Sequence, residues 1–428
     1  MEKIQINNFK EYLYCEELPN GLKVYIVPIK NKKNFSGMIV TKYGGRDIDF
    51  SVENQEYKTP TGIAHFLEHK MFEREEDPFK FYGKYGSDVN AATSDDYTCY
   101  YFIGSKCFNK SLKYLLTWIQ KLDINEQQVE KEKGIILEEA NMYKDNPSRV
   151  MYNKIKENVF VNDPKKNKVI GSDEDIASIT KNNLELCYNN FYVPNNMYLL
   201  VSGAINPNKV IEIAKESTKD FLKKENKAVS IYKREPDHVA KEYEEIYMNI
   251  GIPKVNVSYK MNKDIFKNLG ISPFELDLYL HFIMEISLGS TSNTWQKWIQ
   301  EDLFTDSFYR ITEIESHYVI ELHANSNNPD ELIKRLEEYV TVLETDENSF
   351  EREKKVWISN EVGVTEHPVT TIYNILDDIL DYNTFISNKI ECIKNLKYDK
   401  LLQIKNMLNY KNKIIIKILP LQTNNKKS

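Results

Sequence analysis

The second half of this chain repeats the first. A shift of 221 residues lays Tyr97 on Tyr318, Leu112 on Ile333, Leu115 on Leu336, Ile119 on Val340, Leu122 on Leu343, Val129 on Phe350, Glu132 on Glu353, Pro147 on Pro368 and Tyr152 on Tyr373, with no gap needed. Later segments, 175–201 and 389–418, match again at a smaller offset, as though the second copy lacked a few loop residues. A unit of about 200 residues is far longer than a solenoid repeat and reads as a duplicated domain. The junction is expected in the charged, proline-containing stretch 223–241, which gives a first domain at 1–225, a linker at 226–241 and a second domain at 242–428. Each half is long enough to bury its own core.

Within each copy, strands and helices are grouped rather than strictly alternating. Segments 22–29, 35–43, 97–103 and 197–204 are rich in Tyr, Val and Ile and bounded by Gly, Asn or Lys, as strands are. Segments 109–121 and 126–143 carry helical spacing, with Leu112, Leu115, Leu116 and Ile119 on one face. In the second half 242–260, 318–325 and 413–419 read as strands, and 274–288 and 329–343 as helices. The pattern predicts an α+β chain of two homologous domains, each a largely antiparallel sheet packed with helices.

One helix of the first copy carries chemistry. His65, Phe66, Leu67, Glu68 and His69 spell H-x-x-E-H inside 61–72, where Ile63, Ala64, Phe66, Leu67, Met71 and Phe72 are apolar. At i and i+4 the two imidazoles emerge side by side, and Glu68 sits on the same face as His65. Two histidines and a third ligand leave one position of tetrahedral zinc open for water. A neighbouring carboxylate takes the proton of that water, whose pKa the metal lowers. The alternative is two core histidines hydrogen-bonded to Glu68. Three ionisable groups in a buried helix cost on the order of several kcal/mol unless they are paired or hold a metal.

The best source of a third ligand is 129–143. Glu132 and Glu139 are two helical turns apart, with Ile135 and Ile136 expected to fill the same inward stripe. A solvated acidic helix is the alternative, since Glu130, Lys131, Lys133 and Glu138 are charged surface.

Together these residues resemble the pitrilysin-type, or inverzincin, metallopeptidases. The likeness runs from Asn20-Gly21-Leu22-Lys23-Val24 through Gly44-Gly45-Arg46-Asp47 and 62–72 to Val89-Asn90-Ala91-Ala92-Thr93-Ser94 and 130–139. It implies a zinc endopeptidase in which His65, His69 and Glu139 hold the metal. Glu68 would be the base, and Glu132 a supporting carboxylate that orients a ligand imidazole. It also implies that the strand around Asn90 and Ala91 takes an extended peptide by strand addition. The same shift of 221 puts His65, Glu68, His69 and Glu139 on Ile286, Gly289, Ser290 and Asn360, so the second copy is expected to hold no metal.

The family's peptide-binding arginine and tyrosine are expected in the second half. Region 291–310 offers Tyr309, but its one arginine, Arg310, is adjacent rather than upstream. Tyr309 is therefore a candidate for substrate binding, with a core role as the alternative. In paired members a metal-free chain supplies these residues, and the family's closed chamber uses four such domains. The expected partners are a peptide substrate and a second, similar chain as a heterodimer, or else a homodimer. The alternative function is a non-catalytic core or assembly subunit related to processing peptidases.

Composition narrows the setting. A net charge of -7 argues against nucleic acid as the main partner, and no apolar run approaches the length of a membrane span. Residues 1–10 are polar and lack a signal peptide's apolar stretch. Cys15, Cys99, Cys107, Cys187 and Cys392 are scattered and odd in number, as expected of a cytoplasmic protein.

Overall fold

The computed structural model describes residues 1–421. They form two compact units, and neither is a contiguous half. The first comprises Met1–Ala140, Asn167–Tyr232 and Asn360–Ile390; the second comprises Asn141–Lys166, Lys233–Ser359 and the described residues from Glu391 onward.

In the first unit a seven-stranded sheet runs, edge to edge, Glu2–Gln5, Tyr12–Glu17, Lys23–Pro28, Met197–Gly203, Phe35–Thr41, Thr98–Gly104 and Asp88–Thr93. Its central strands Met197–Gly203 and Phe35–Thr41 are buried at every residue. A small sheet of Val229–Ser230, Asp49–Val52 and Gln55–Lys58 accompanies it. The second unit has a five-stranded sheet in the order Tyr243–Met248, Asn412–Pro420, Lys254–Asn262, His317–Asn325 and Asp306–Glu313. Strand for strand, this is the order of the first sheet without its opening pair. Each of the two large sheets also has one parallel pair, Lys23–Pro28 with Met197–Gly203 and Tyr243–Met248 with Asn412–Pro420, all their other pairs being antiparallel. The α+β duplication read from the sequence is therefore present in the topology.

The copies exchange a helix. Pro368–Tyr382, from the second half of the chain, lays Ile372, Ile375, Leu376 and Ile379 on Val27, Met38, Val40, Cys99 and Leu200 of the first sheet. Pro147–Val159, its counterpart, lays Met151, Ile155 and Val159 on Val319, Ile414, Ile416 and Ile418 of the second. Burying a side chain of this kind contributes roughly 1.5–3 kcal/mol, so each exchanged helix is an integral part of its core. One of the passages of the chain from the first unit to the second lies between Tyr232 and Lys233. What the contiguous division lacks is the transfer of 141–166 and 360–390. An apolar stripe dictates that a helix be covered without specifying which of two like sheets covers it.

The repeat is also less regular than a single gapless shift. Offset 221 is right for the helices between 108 and 159: Phe108–Trp118 falls on Pro329–Tyr339, and Pro147 on Pro368. In the strands it is one residue out. Tyr97, Cys99 and Tyr101 line the face beneath the exchanged helix of the first unit, as Val319 does in the second. Tyr318 lies on the opposite face, where its hydroxyl donates to Asp277 at 3.0 Å. Strand side chains alternate faces, so a one-residue slip reverses every one of them. Segment 242–260 is likewise two strands, interrupted around Gly251 and Pro253. Among the described residues no helix is long and apolar enough to cross a membrane.

Candidate metal centre

The motif helix, Ile63–Phe72, begins at a point where only glycine fits. Gly62 has φ +85°, and a Cβ on it would stand 2.3 Å from the carbonyl oxygen of Ile170. L-residues avoid this backbone region and tolerate no such contact. The helix then buries Ile63, Ala64, Phe66, Leu67, Lys70 and Met71, leaving His65, Glu68 and His69 on its remaining face.

Opposite runs Glu126–Lys144, which buries Val129, Glu132, Ile136 and Ala140. Ile136 faces inward as expected, but Ile135 is 45% exposed, because at 100° per residue it cannot share the stripe of Glu132 and Ile136. Glu139, one residue before Ala140, reaches the histidines: its Oε2 is 3.8 Å from His65 Nε2 and 3.5 Å from His69 Nε2. The imidazoles stand with ring centroids 4.6 Å apart. Ligand atoms of His65, His69 and Glu139 all lie within 4.8 Å of one another, the one such group among the described residues.

The surrounding groups set the charge state of these donors. His69 Nδ1 lies 3.0 Å from Glu132 Oε1, and its Nε2 faces Glu139. Burial pushes His65 down to about 4, the charge of His69 adding to it. His69 goes the other way, up to about 9: burial opposes its charge, but its hydrogen bonds to Glu132 and Glu139 win. His65 Nδ1 is buried and has no hydrogen-bond partner among the described residues. Two imidazoles with converging Nε2 atoms and one carboxylate are a donor set that zinc takes, with a fourth position left open. The residues present therefore fit the metal.

Glu68 stands beside this cluster. Burial raises its pKa, and the hydroxyl of Thr93, donating at 2.5 Å, holds the carboxylate in place while opposing that rise. Thr93 ends the edge strand Asp88–Thr93, whose outer edge no described strand pairs. Asn90 and Ala91 lie on that strand; Asn90 is exposed and its side chain accepts the N–H of Ala91 at 2.9 Å. Sequence reasoning missed Thr93 as a partner of Glu68. The signal available was the two-residue alternation that puts it on one face with Ala91.

Tyr309 belongs to the second unit. Its hydroxyl lies 3.4 Å from His281 Nδ1, and burial, together with the charge of Glu285, raises its pKa. This corrects the alignment of the motif helix. Ile63–Phe72 and Pro273–Leu288 end 216 residues apart, and at that offset burial classes agree at nine of the ten positions, differing only between Glu68 and Met284. His65 thus corresponds to His281, Glu68 to Met284 and His69 to Glu285, not to the residues 221 further on. The second copy keeps a histidine at the position of His65. It has Met284 in place of Glu68 and a carboxylate in place of the second imidazole.

Comparison with known proteins agrees with this geometry. Residues 53–173 match Peptidase_M16, insulinase (peptidase family M16), and 178–356 match Peptidase_M16_C, the peptidase M16 inactive domain. The chain is 34% identical over 314 residues, 72% of each chain, to the uncharacterized zinc protease YmfH of Bacillus subtilis. An M16-like peptidase structure from Alicyclobacillus acidocaldarius superposes with a TM-score of 0.90 at 26% identity, covering 97% of this chain and 99% of that one. The periplasmic protease PqqL of Escherichia coli shares the fold at a TM-score of 0.74 and 17% identity, over 95% of this chain and 47% of that one. The duplicated α+β topology, the H-x-x-E-H helix and its distant glutamate thus have one explanation: the chain belongs to peptidase family M16.

Proposed function

We propose that this chain is a zinc-dependent endopeptidase that cleaves extended peptide segments inside a chamber completed by a second chain. The convergence of His65, His69 and Glu139, with Glu68 held beside them by Thr93, carries this conclusion. When bound there, zinc supplies a Lewis acid that polarises a carbonyl and acidifies water. His65, His69 and Glu139 would hold it. Glu68, its pKa raised by burial, is suited to accept a proton and return it to a leaving amine. Glu132 keeps His69 in one tautomer. The open edge of Asp88–Thr93 offers main-chain donors and acceptors to a peptide at Asn90 and Ala91, so orientation comes from strand pairing rather than from one side chain.

The intact acid at position 68 favours this over a non-catalytic assembly role. A paired chain is supported by the PqqL match, which spans under half of that protein. All five cysteines are free, which supports a reducing, cytoplasmic setting. The test is zinc analysis of the purified protein, with and without its co-purifying partner, and cleavage of a quenched peptide library before and after chelation. Cleavage that stops on chelation and returns with zinc is expected. A zinc-loaded pair that cleaves nothing, or a strict monomer by light scattering that cleaves at full rate, overturns the respective part.

A further inference from the structure

Lys70 follows His69 directly, and its side chain is fully buried. Three acceptors meet its ammonium: the Glu73 carboxylate, Glu132 Oε2 at 3.3 Å and the main-chain oxygen of Gln128 at 3.3 Å. An ammonium has three N–H donors and no acceptor, so the set is complete. Glu132 is therefore shared, with Oε1 taking the Nδ1 proton of His69 and Oε2 facing Lys70. Gln128 and Glu132 both belong to Glu126–Lys144, the helix that carries Glu139 two turns further on. A neutral group at position 70 would leave Glu132, 9% exposed, with an imidazole as its one remaining partner at this end. In the second copy the corresponding residue is Ile286, and Glu353 there meets the charge of Glu285.

We propose that Lys70 is a positioning residue for the metal centre. It fixes Glu132 and the helix beneath it, and through them the ring of His69 and the reach of Glu139. This rests on the zinc assignment above. The experiment measures zinc dissociation constants by competition with a chromophoric chelator for the parent, K70M, E132Q, K70M/E132Q and E73Q. K70M and E132Q are each expected to weaken zinc binding about 10–100-fold. The double variant should bind within about twofold of E132Q, because Lys70 acts through Glu132, and E73Q within about twofold of the parent. Parent-like binding by K70M, or losses that multiply in the double variant, overturns the proposal. If K70M does not fold, K70Q, which keeps two N–H donors, takes its place; failure of both to fold assigns Lys70 to the fold and overturns a role in the centre. A parent that takes up no zinc defeats the zinc assignment as well, whereas zinc binding unchanged by K70M defeats this proposal alone.

Discussion

The two copies put similar helices into similar sheets and reach opposite chemistry. In the first, His65, Glu68 and His69 face Glu132 and Glu139, with Thr93 holding Glu68, and His69 and Lys70 holding Glu132. In the second, His281, Met284 and Glu285 face Tyr309 and Glu353, and the site is filled by aromatic packing of His281 against Trp357 and Tyr309. Burial takes His281 down to about 4 and Glu353 up, the charge of Glu285 adding to the rise of Glu353. One copy keeps two converging imidazoles and a carboxylate beside them. The other packs its one imidazole against two aromatic rings. The difference lies in a few side chains, since the backbone topology is common to both.

That contrast is open to attack at several points. The largest effect belongs to Glu68→Gln, which should lower kcat/KM about 10²–10⁴-fold with zinc content unchanged; Met284→Gln should leave cleavage within about twofold. Equal losses from both, measured on the same peptide, would erase the distinction between the copies. Zinc at 100 times its dissociation constant should stabilise the protein by about 2.7 kcal/mol, and differential scanning calorimetry of His65→Ala should show that increment gone.

The next effect is on pH. His281 has a folded pKa near 4, below its unfolded value of about 6.5. Between these values the unfolded chain binds more protons, so stability is lost as the pH is lowered, by about 1.6 kcal/mol from 6.5 to 5. His281→Phe should flatten that part of the urea-denaturation profile, and an unaltered slope would mean the imidazole stays charged. Smallest is Glu353→Gln, expected to raise stability at pH 7 by on the order of 1 kcal/mol by removing repulsion from Glu285. A loss of stability at Glu353→Gln would show that the second site still needs its acid.

Much of the candidate centre was legible because its signals are local. H-x-x-E-H places its side chains within one turn and a half, and the spacing of Glu132 and Glu139 is helical arithmetic. Ile135 shows the limit of that arithmetic, since a neighbour of a buried residue is 100° away and falls into solvent. Thr93 and Lys70 were not legible as partners. A threonine closing a strand and a lysine inside an apolar helix carry no mark of which acid they will meet. Tyr309, expected near substrate on family likeness, has its hydroxyl 3.4 Å from His281 Nδ1, a contact no local pattern announces.

By itself the sequence determined the duplication, the α+β class and the motif helix, because periodicity and spacing act over a few residues. The tertiary structure decided which sheet each exchanged helix covers and that the strands are out of step with the helices in the repeat. It also decided that His281 and Glu285, rather than residues further along, stand where His65 and His69 do. Apolar burial is non-directional and strand faces alternate, so these choices depend on long-range packing that no local pattern encodes.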